Sequence, residues 1–161
     1  MTVRSSVFRI SMAMLLLALL GMVNGAAAQS APPVASAKPA HRVVACYFHR
    51  TVRCPTCMKI GSSIDAALKT GLAAELQQGR LEWTTLDFQD PQNQAYTNAL
   101  RITGPTLVVM EVQNGQVINW KPLPKVWSLI GDQDAFFRYV QSEVRAFLAA
   151  SEGSAKSVTA K

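Results

Sequence analysis

Residues 42–64 read RVVACYFHRTVRCPTCMKIGSSI and combine an apolar run, a basic loop and a helical segment around two cysteines. The run RVVACYF is rich in β-branched and aromatic residues, which favours a buried central strand. Pro55 directly follows Cys54, and proline is well tolerated at the first position of a helix. We therefore predict that the CxxC pair stands where a helix begins, shortly after a buried strand.

Cys54 and Cys57 could form a redox pair, a metal clip or a structural staple. A bond between them closes so short a loop that it removes little entropy from the unfolded chain, which argues against a staple. The remaining choice lies between thiol chemistry and metal binding.

The rest of the chain predicts a regular succession of strands and helices. Apolar residues at helical spacing follow Cys57 as far as Gly79, with an interruption at Gly71, and Asn114-Gly115 marks a hairpin turn. The predicted order is β-α-β-α-β-β-α, an α/β fold with a mixed four-stranded sheet and helices on both faces. The later elements fall in the stretches RLEWTTLDF, DPQNQAYTNAL, PTLVVMEV, VINWK and the apolar helical face from Asp132 onward.

The N-terminus has the features of a secretory signal peptide. Arg4 and Arg9 precede an apolar run that is too short for a comfortable membrane span, and alanines at 26–28 supply a cleavage site. We predict a signal peptide at 1–28, a flexible Pro/Ala-rich spacer at 29–41, a folded domain at 42–150 and a disordered tail at 151–161. The expected location is periplasmic or secreted, and an uncleaved N-terminal anchor is the alternative and the only expected contact with a membrane.

Composition and charge exclude some classes of function. The chain has 161 residues, 49% of them hydrophobic, which suits one domain with its own core. The formal net charge of +6 comes from scattered residues, without the dense basic run that a phosphate-binding groove requires. We therefore expect no nucleic-acid partner.

Two motifs give the chain a resemblance to the thioredoxin-like superfamily. They are Cys54-Pro55-Thr56-Cys57 after a buried strand and Gly104-Pro105-Thr106 at the start of a later strand, and the order of elements from 42 to 149 agrees. The resemblance implies that Gly104, Pro105 and Thr106 bind substrate opposite the cysteines, with Pro105 in the cis form. More narrowly, the pattern resembles small thioredoxin-like proteins described as subunits of a nitrophenyl-compound nitroreductase.

The chain departs from the thioredoxin pattern at two positions. Arg53 stands before the first cysteine in place of tryptophan, and Phe48 stands six residues upstream in place of a buried acid. The resemblance therefore bears more on the fold than on a general disulfide reductase activity.

The residues around Cys54 favour redox chemistry. An ordinary cysteine has a pKa of about 8.5, and exchange needs the thiolate. The positive end of the helix dipole, together with charge from Arg53, Arg50 and His49, would favour that anion. We expect Cys54 to attack and Cys57 to resolve, with no cofactor beyond their disulfide, acting on a protein or small-molecule thiol or disulfide and with a redox partner protein as a further possibility.

Metal binding is the alternative that the sequence leaves open. Cys46 falls in the apolar strand and is expected to be a packed, unreactive thiol. A zinc site would have to add Cys46 and either His49 or His41 to Cys54 and Cys57, although a second recognisable pair of ligands is missing. Two-coordinate Cu(I) at the CxxC pair is a further alternative, because thiolates suit soft metals.

Overall fold

The computed structural model describes residues 39–159, with side chains as far as residue 153. The predicted signal peptide and most of the predicted spacer lie outside the described residues. Among the described residues, no helix has both the length and the apolar character that crossing a membrane requires.

Four strands form one mixed sheet in the order β2-β1-β3-β4. Strand β1 is parallel to β2 and antiparallel to β3, and β4 is antiparallel to β3. The predicted α/β fold with a mixed four-stranded sheet is thus confirmed. The strands span His41–His49 (β1), Leu81–Asp87 (β2), Thr106–Gln113 (β3) and Gln116–Pro122 (β4).

The helices lie between and after the strands in the predicted order. A short 3₁₀ turn at Pro91–Asn93 precedes α3, and another at Pro124–Val126 follows β4. The Asp90 side chain accepts a hydrogen bond from Gln92 N and so caps the first of these turns. The helices span Pro55–Gly71 (α1), Ala73–Gln77 (α2), Gln94–Ala99 (α3) and Gln133–Thr159 (α4).

The two faces of the sheet carry separate cores, because alternate strand residues point to opposite sides. The first face is covered by α1 and α4, and the second face is covered by the segment that contains α3. Strand β1 is central and contributes to both cores, which explains its unbroken apolar run. The first face includes Tyr47, Ile60, Ile64, Val109, Phe136 and Val140, and the second includes Cys46, Phe48, Leu100, Val108 and Met110.

Two predicted breaks have clear physical causes. Asn114 and Gly115 both have positive φ, 51° and 84°, which is the backbone of the primed hairpin turn. Helix α1 ends at Gly71, where a side chain is excluded because a Cβ would collide with the side chain of Gln141 on α4. The close approach is fixed by the Gln141 side chain, whose Nε2 donates to Ala67 O at 2.9 Å.

The C-terminal helix is longer than the sequence predicts. The domain was expected to end at residue 150 and to be followed by a disordered tail, but α4 continues to Thr159. Ser151 is buried, and its hydroxyl donates to Leu148 O at 2.8 Å within the same helix.

Candidate redox site

The strand register gathers the predicted site residues at one end of the sheet. Phe48 pairs with Thr106 and His49 pairs with Asp87, so β1 and β2 end where β3 begins. Val108 pairs with Pro122, which brings the end of β4 to the same side. We call this the site end of the sheet, and both the CxxC loop after β1 and the Gly104-Pro105-Thr106 segment belong to it.

Cys54 and Cys57 are joined by a disulfide, with their Cα atoms 5.1 Å apart. Cys54 is the N-cap of α1, and its Sγ accepts a hydrogen bond from Cys57 N at 3.1 Å. No acidic residue occupies the first turn of α1, among the helix residues the structure describes, so nothing in that turn opposes the positive end of the dipole. Both features would stabilise a thiolate on Cys54 once the disulfide is reduced.

The two sulfur-bearing residues differ in exposure. Cys54 is exposed, whereas Cys57 is only 5% exposed and points into the core with the apolar stripe of α1. An incoming thiol or disulfide can therefore reach Cys54 far more readily than Cys57. This asymmetry suits the roles that the sequence predicts for the attacking and the resolving cysteine.

His49 organises the loop that leads to Cys54. Its ring is 9% exposed and makes two contacts, with Arg50 O at 2.9 Å through Nδ1 and with the Arg53 guanidinium through Nε2. Since a guanidinium can only donate, Nε2 must accept and Nδ1 must carry the proton. The sequence analysis treated His49 as a source of positive charge, whereas in this arrangement its Nε2 accepts a hydrogen bond from Arg53, the residue before Cys54.

The end of β2 holds the same loop from the other side. Phe88 N donates to His49 O at 3.0 Å, and Thr51 N donates to Gln89 Oε1 at 3.2 Å. A hydrogen bond from the Thr51 side chain is the main cause that lowers the pKa of Asp87 below its ordinary value, and the neighbouring backbone N–H groups add to it. Asp87 was missed by the sequence analysis, although an acid at the end of a strand parallel to β1 could have drawn attention to it.

Gly104, Pro105 and Thr106 line a cleft of about 330 Å³ at the site end of the sheet. Trp127 also lines it and donates from Nε1 to Pro105 O at 2.9 Å, which ties the loop after β4 to the start of β3. Trp127 is 36% exposed, so part of its ring faces solvent. The two cysteines are not among the lining residues, so the disulfide lies outside this cleft.

The peptide bond before Pro105 is trans, in contrast to the cis form that the resemblance implies. No cis peptide bond occurs over residues 39–159. Trans is the intrinsically favoured isomer of a bond to proline, by about 0.5–1 kcal/mol.

Cys46 lies on the second face of the sheet, away from α1, because it is next to Tyr47 in β1 and neighbouring strand residues point to opposite faces. Burial raises the pKa of its thiol to about 12, and the nearby Glu82 carboxylate adds to the effect. Cys46 is therefore separated from Cys54 and Cys57 by the sheet, as the predicted packed thiol would be. Within the described part of the chain, no three His, Cys, Asp or Glu side chains are grouped closely enough to hold a metal ion.

The sheet order, together with a CxxC pair at the N-terminus of the helix after β1, defines an α/β protein of thioredoxin-like architecture. No family model matches the chain, and no curated protein sequence matches it.

Similar solved structures include one titled as the structure of a malarial protein, at 16% identity and a TM-score of 0.37, covering 60% of this chain and 94% of that one. The thioredoxin of Fasciola hepatica is 17% identical with a TM-score of 0.35, covering 61% of this chain and 81% of that one. Oxidised thioredoxin O2 from Arabidopsis thaliana is 13% identical with a TM-score of 0.34, covering 60% and 76% respectively.

Proposed function

We propose that this chain is an exported thiol–disulfide oxidoreductase that works through Cys54 and Cys57. The observation that carries the proposal is the contrast between an exposed Cys54 at the N-cap of α1 and a buried Cys57 one turn further on. In such a pair the exposed sulfur can attack the substrate, and the buried sulfur can then resolve the mixed disulfide.

The exchange proceeds in two balanced steps, described here for the reduced protein acting on a substrate disulfide. The Cys54 thiolate attacks one substrate sulfur, a mixed disulfide forms, and the other substrate sulfur leaves as a thiolate that takes up a proton. Cys57 then loses its proton and attacks Cys54 Sγ, which restores the Cys54–Cys57 disulfide and releases the second substrate thiol. Two electrons pass from the protein dithiol to the substrate, and the reverse sequence donates a disulfide.

Three features support the first step. The Cys57 N–H already donates to Cys54 Sγ, the helix dipole favours an anion there, and the guanidinium of Arg53, the residue before Cys54, is held by His49. Each would lower the cost of forming the Cys54 thiolate in its reduced state. The charge is fixed in place before substrate arrives, so little reorganisation is needed during attack.

The cleft lined by Gly104, Pro105 and Thr106 is the proposed binding place for the part of the substrate that flanks its sulfur. Trp127 and Trp120 add aromatic surface to the same cleft, and Arg101 adds a positive charge. A protein or small-molecule thiol or disulfide is the proposed substrate class. The proposed location, outside the cytoplasm, rests on the signal-like sequence at 1–28, and it would allow the disulfide to persist.

The test is the redox equilibrium of purified protein across glutathione buffers, read as mass after thiol alkylation. We expect a reversible two-thiol transition in wild type, loss of exchange in Cys54→Ser, and accumulation of mixed disulfides in Cys57→Ser. Cys46→Ala is the matched control, since it removes the third cysteine from the opposite face and should leave exchange intact. Unchanged exchange in Cys54→Ser would overturn the proposal.

The two alternatives from the sequence give different results in the same preparation. A soft-metal module would take up Cu(I) in stoichiometric amount under anaerobic titration and would show no reversible dithiol transition. A subunit of a nitro-reducing assembly, which rests on sequence resemblance alone, would need a flavin-bearing partner to supply electrons, because the chain has no Gly-rich dinucleotide motif.

A further inference from the structure

The hydroxyl of Tyr47 is a buried polar group with no hydrogen-bond partner among the described residues. Tyr47 is 0% exposed and lies in the core of the first face, beneath α1. Buried hydroxyls are normally paired, because leaving one unpaired costs free energy. In the disulfide form, the described residues thus leave this buried donor unpaired.

Helix α1 brings the Tyr47 ring close to the turn that carries Cys57. A Cβ built on Gly61 would lie 3.6 Å from Cδ1 and 3.8 Å from Cε1 of the ring. Gly61 follows Cys57 by four residues, so the two share one face of the helix. Cys57 is itself buried on that helix, as is Ile60, and the ring thus lies under the first turns of α1.

The Tyr47 phenol also interacts electrostatically with the loop before Cys54. Tyr47 and His49 alternate with Phe48 along β1, so they share the first face of the sheet, and His49 contacts Arg53. The positive charge of Arg53 acts on the Tyr47 phenol and partly offsets the burial that raises its pKa. The phenol thus lies within reach of the charge on this loop and packs against α1, the helix that carries Cys57.

We propose that Tyr47 Oη donates a hydrogen bond to Cys57 Sγ when the disulfide is reduced. This inference rests on the proposed function and deepens it by naming a group that favours the dithiol state. In the disulfide, Cys57 Sγ is bonded to Cys54 and is a poor acceptor, whereas a free thiol or thiolate is a better one. Reduction thus gives the buried hydroxyl the partner that it lacks in the oxidised protein.

The test is Tyr47→Phe, compared with wild type in the glutathione equilibrium described above. Losing the hydrogen bond should move the equilibrium about two- to tenfold toward the disulfide, the range expected for one hydrogen bond. Tyr96→Phe is the matched control, because Tyr96 lies against the second face and its hydroxyl donates to Met110 Sδ at 2.7 Å. That control should leave the redox equilibrium unchanged.

A second measurement separates this role from simple packing. Thermal unfolding of oxidised Tyr47→Phe should match or exceed wild type, because the variant deletes an unpaired buried hydroxyl, while reduced Tyr47→Phe should unfold at a lower temperature than reduced wild type. Equal changes in both states, or an unshifted equilibrium, would overturn the inference.

The outcomes also separate the inference from the proposed function. Full exchange activity in Cys54→Ser would end the proposed function, whereas the intramolecular equilibrium of Cys54 and Cys57 would still report on Tyr47. Normal exchange in wild type with an unshifted Tyr47→Phe equilibrium would end the inference alone.

Discussion

The site end of the sheet and its second face hold cysteines in opposite surroundings. At the site end, Cys54 is exposed, accepts a hydrogen bond from a backbone N–H and directly follows Arg53 in the chain. On the second face, Cys46 is 1% exposed among apolar side chains, and burial raises the pKa of its thiol to about 12. The same side chain is thus prepared for ionisation in one place and held neutral in the other, so position in the fold and not residue type decides its chemistry.

The two regions also differ in the interactions that stabilise them. The site end is held by hydrogen bonds between exposed or half-buried groups, such as the one from Thr51 N to Gln89 Oε1. The second face is packed mainly with apolar side chains, and the ring centroids of Phe48 and Tyr96 lie 6.1 Å apart there. We therefore expect substitutions at the site end to alter chemistry with little loss of stability, and substitutions on the second face to do the reverse.

The largest expected effect is the difference in alkylation rate between the cysteines of the reduced, folded protein. At pH 7 a thiol with a pKa of about 12 is ionised about three orders of magnitude less than one with an ordinary pKa of about 8.5. Iodoacetamide should therefore label Cys54 at least that much faster than Cys46, since burial also blocks access. Peptide mass mapping over time measures both rates.

The pH dependence gives that experiment its control. Because the pKa of Cys46 is raised, its labelling should stay low across the neutral range and rise only as the pH approaches 12, if the fold persists. In denaturant both cysteines should react alike. Comparable labelling of Cys46 and Cys54 in the native protein at pH 7 would remove the contrast.

A second test concerns Phe48, the position where the resemblance would place a buried acid. Phe48 is 0% exposed on the second face, across the sheet from α1. Phe48→Asp should therefore lower the free energy of unfolding by at least about 3 kcal/mol, the loss typical of a truncated core phenylalanine, because a carboxylate enters an apolar core. Urea unfolding of the oxidised protein measures it.

Phe48→Leu is the matched control and should lose much less stability, since it keeps an apolar side chain in the same core. Neither variant should shift the redox equilibrium of the folded protein, because neither side chain reaches the cysteines. A stable Phe48→Asp protein with a shifted equilibrium would show that this position faces the CxxC helix after all.

Much of the fold could be read from local patterns. The apolar run of β1, the Pro55 helix start and the Asn114-Gly115 turn each carry a strong local signal, and together they fix the order of elements. The end of α4 was harder to predict, because residues 151–156 (SEGSAK) have little apolar periodicity. The burial of Ser151 there is a tertiary feature that the sequence pattern does not show.

The candidate site was predictable only in part. Cys54 and Cys57 are marked by their spacing, but the contributions of Asp87 and Tyr47 depend on strand register and on which face each residue occupies. Neither is visible before the strands are aligned. The trans form of the bond before Pro105 likewise depends on tertiary context, so the motif alone could not decide it.

The smallest expected effect concerns the tie between Thr51 and Asp87 at the site end. Hydrogen bonding from the Thr51 side chain is the main cause of the lowered pKa of Asp87, so Thr51→Val should raise that pKa toward the ordinary carboxyl value. Thr51→Ser keeps a hydroxyl and should retain the low pKa. Carbon-13 NMR titration of the Asp87 carboxyl measures all three proteins.

The sign of the accompanying stability change follows from linkage. A carboxyl whose pKa is lowered by folding adds stability above its unfolded pKa of about 3.9, and that stability is lost as the pH falls through the folded value. The gap between wild type and Thr51→Val should therefore be present at neutral pH and close in acid, and it should be small because Asp87 is partly solvated. If Thr51→Val lowered the free energy of unfolding as much as Phe48→Asp, then hydrogen bonds at the site end would stabilise the fold as strongly as apolar packing on the second face. That result would contradict the contrast between the two regions.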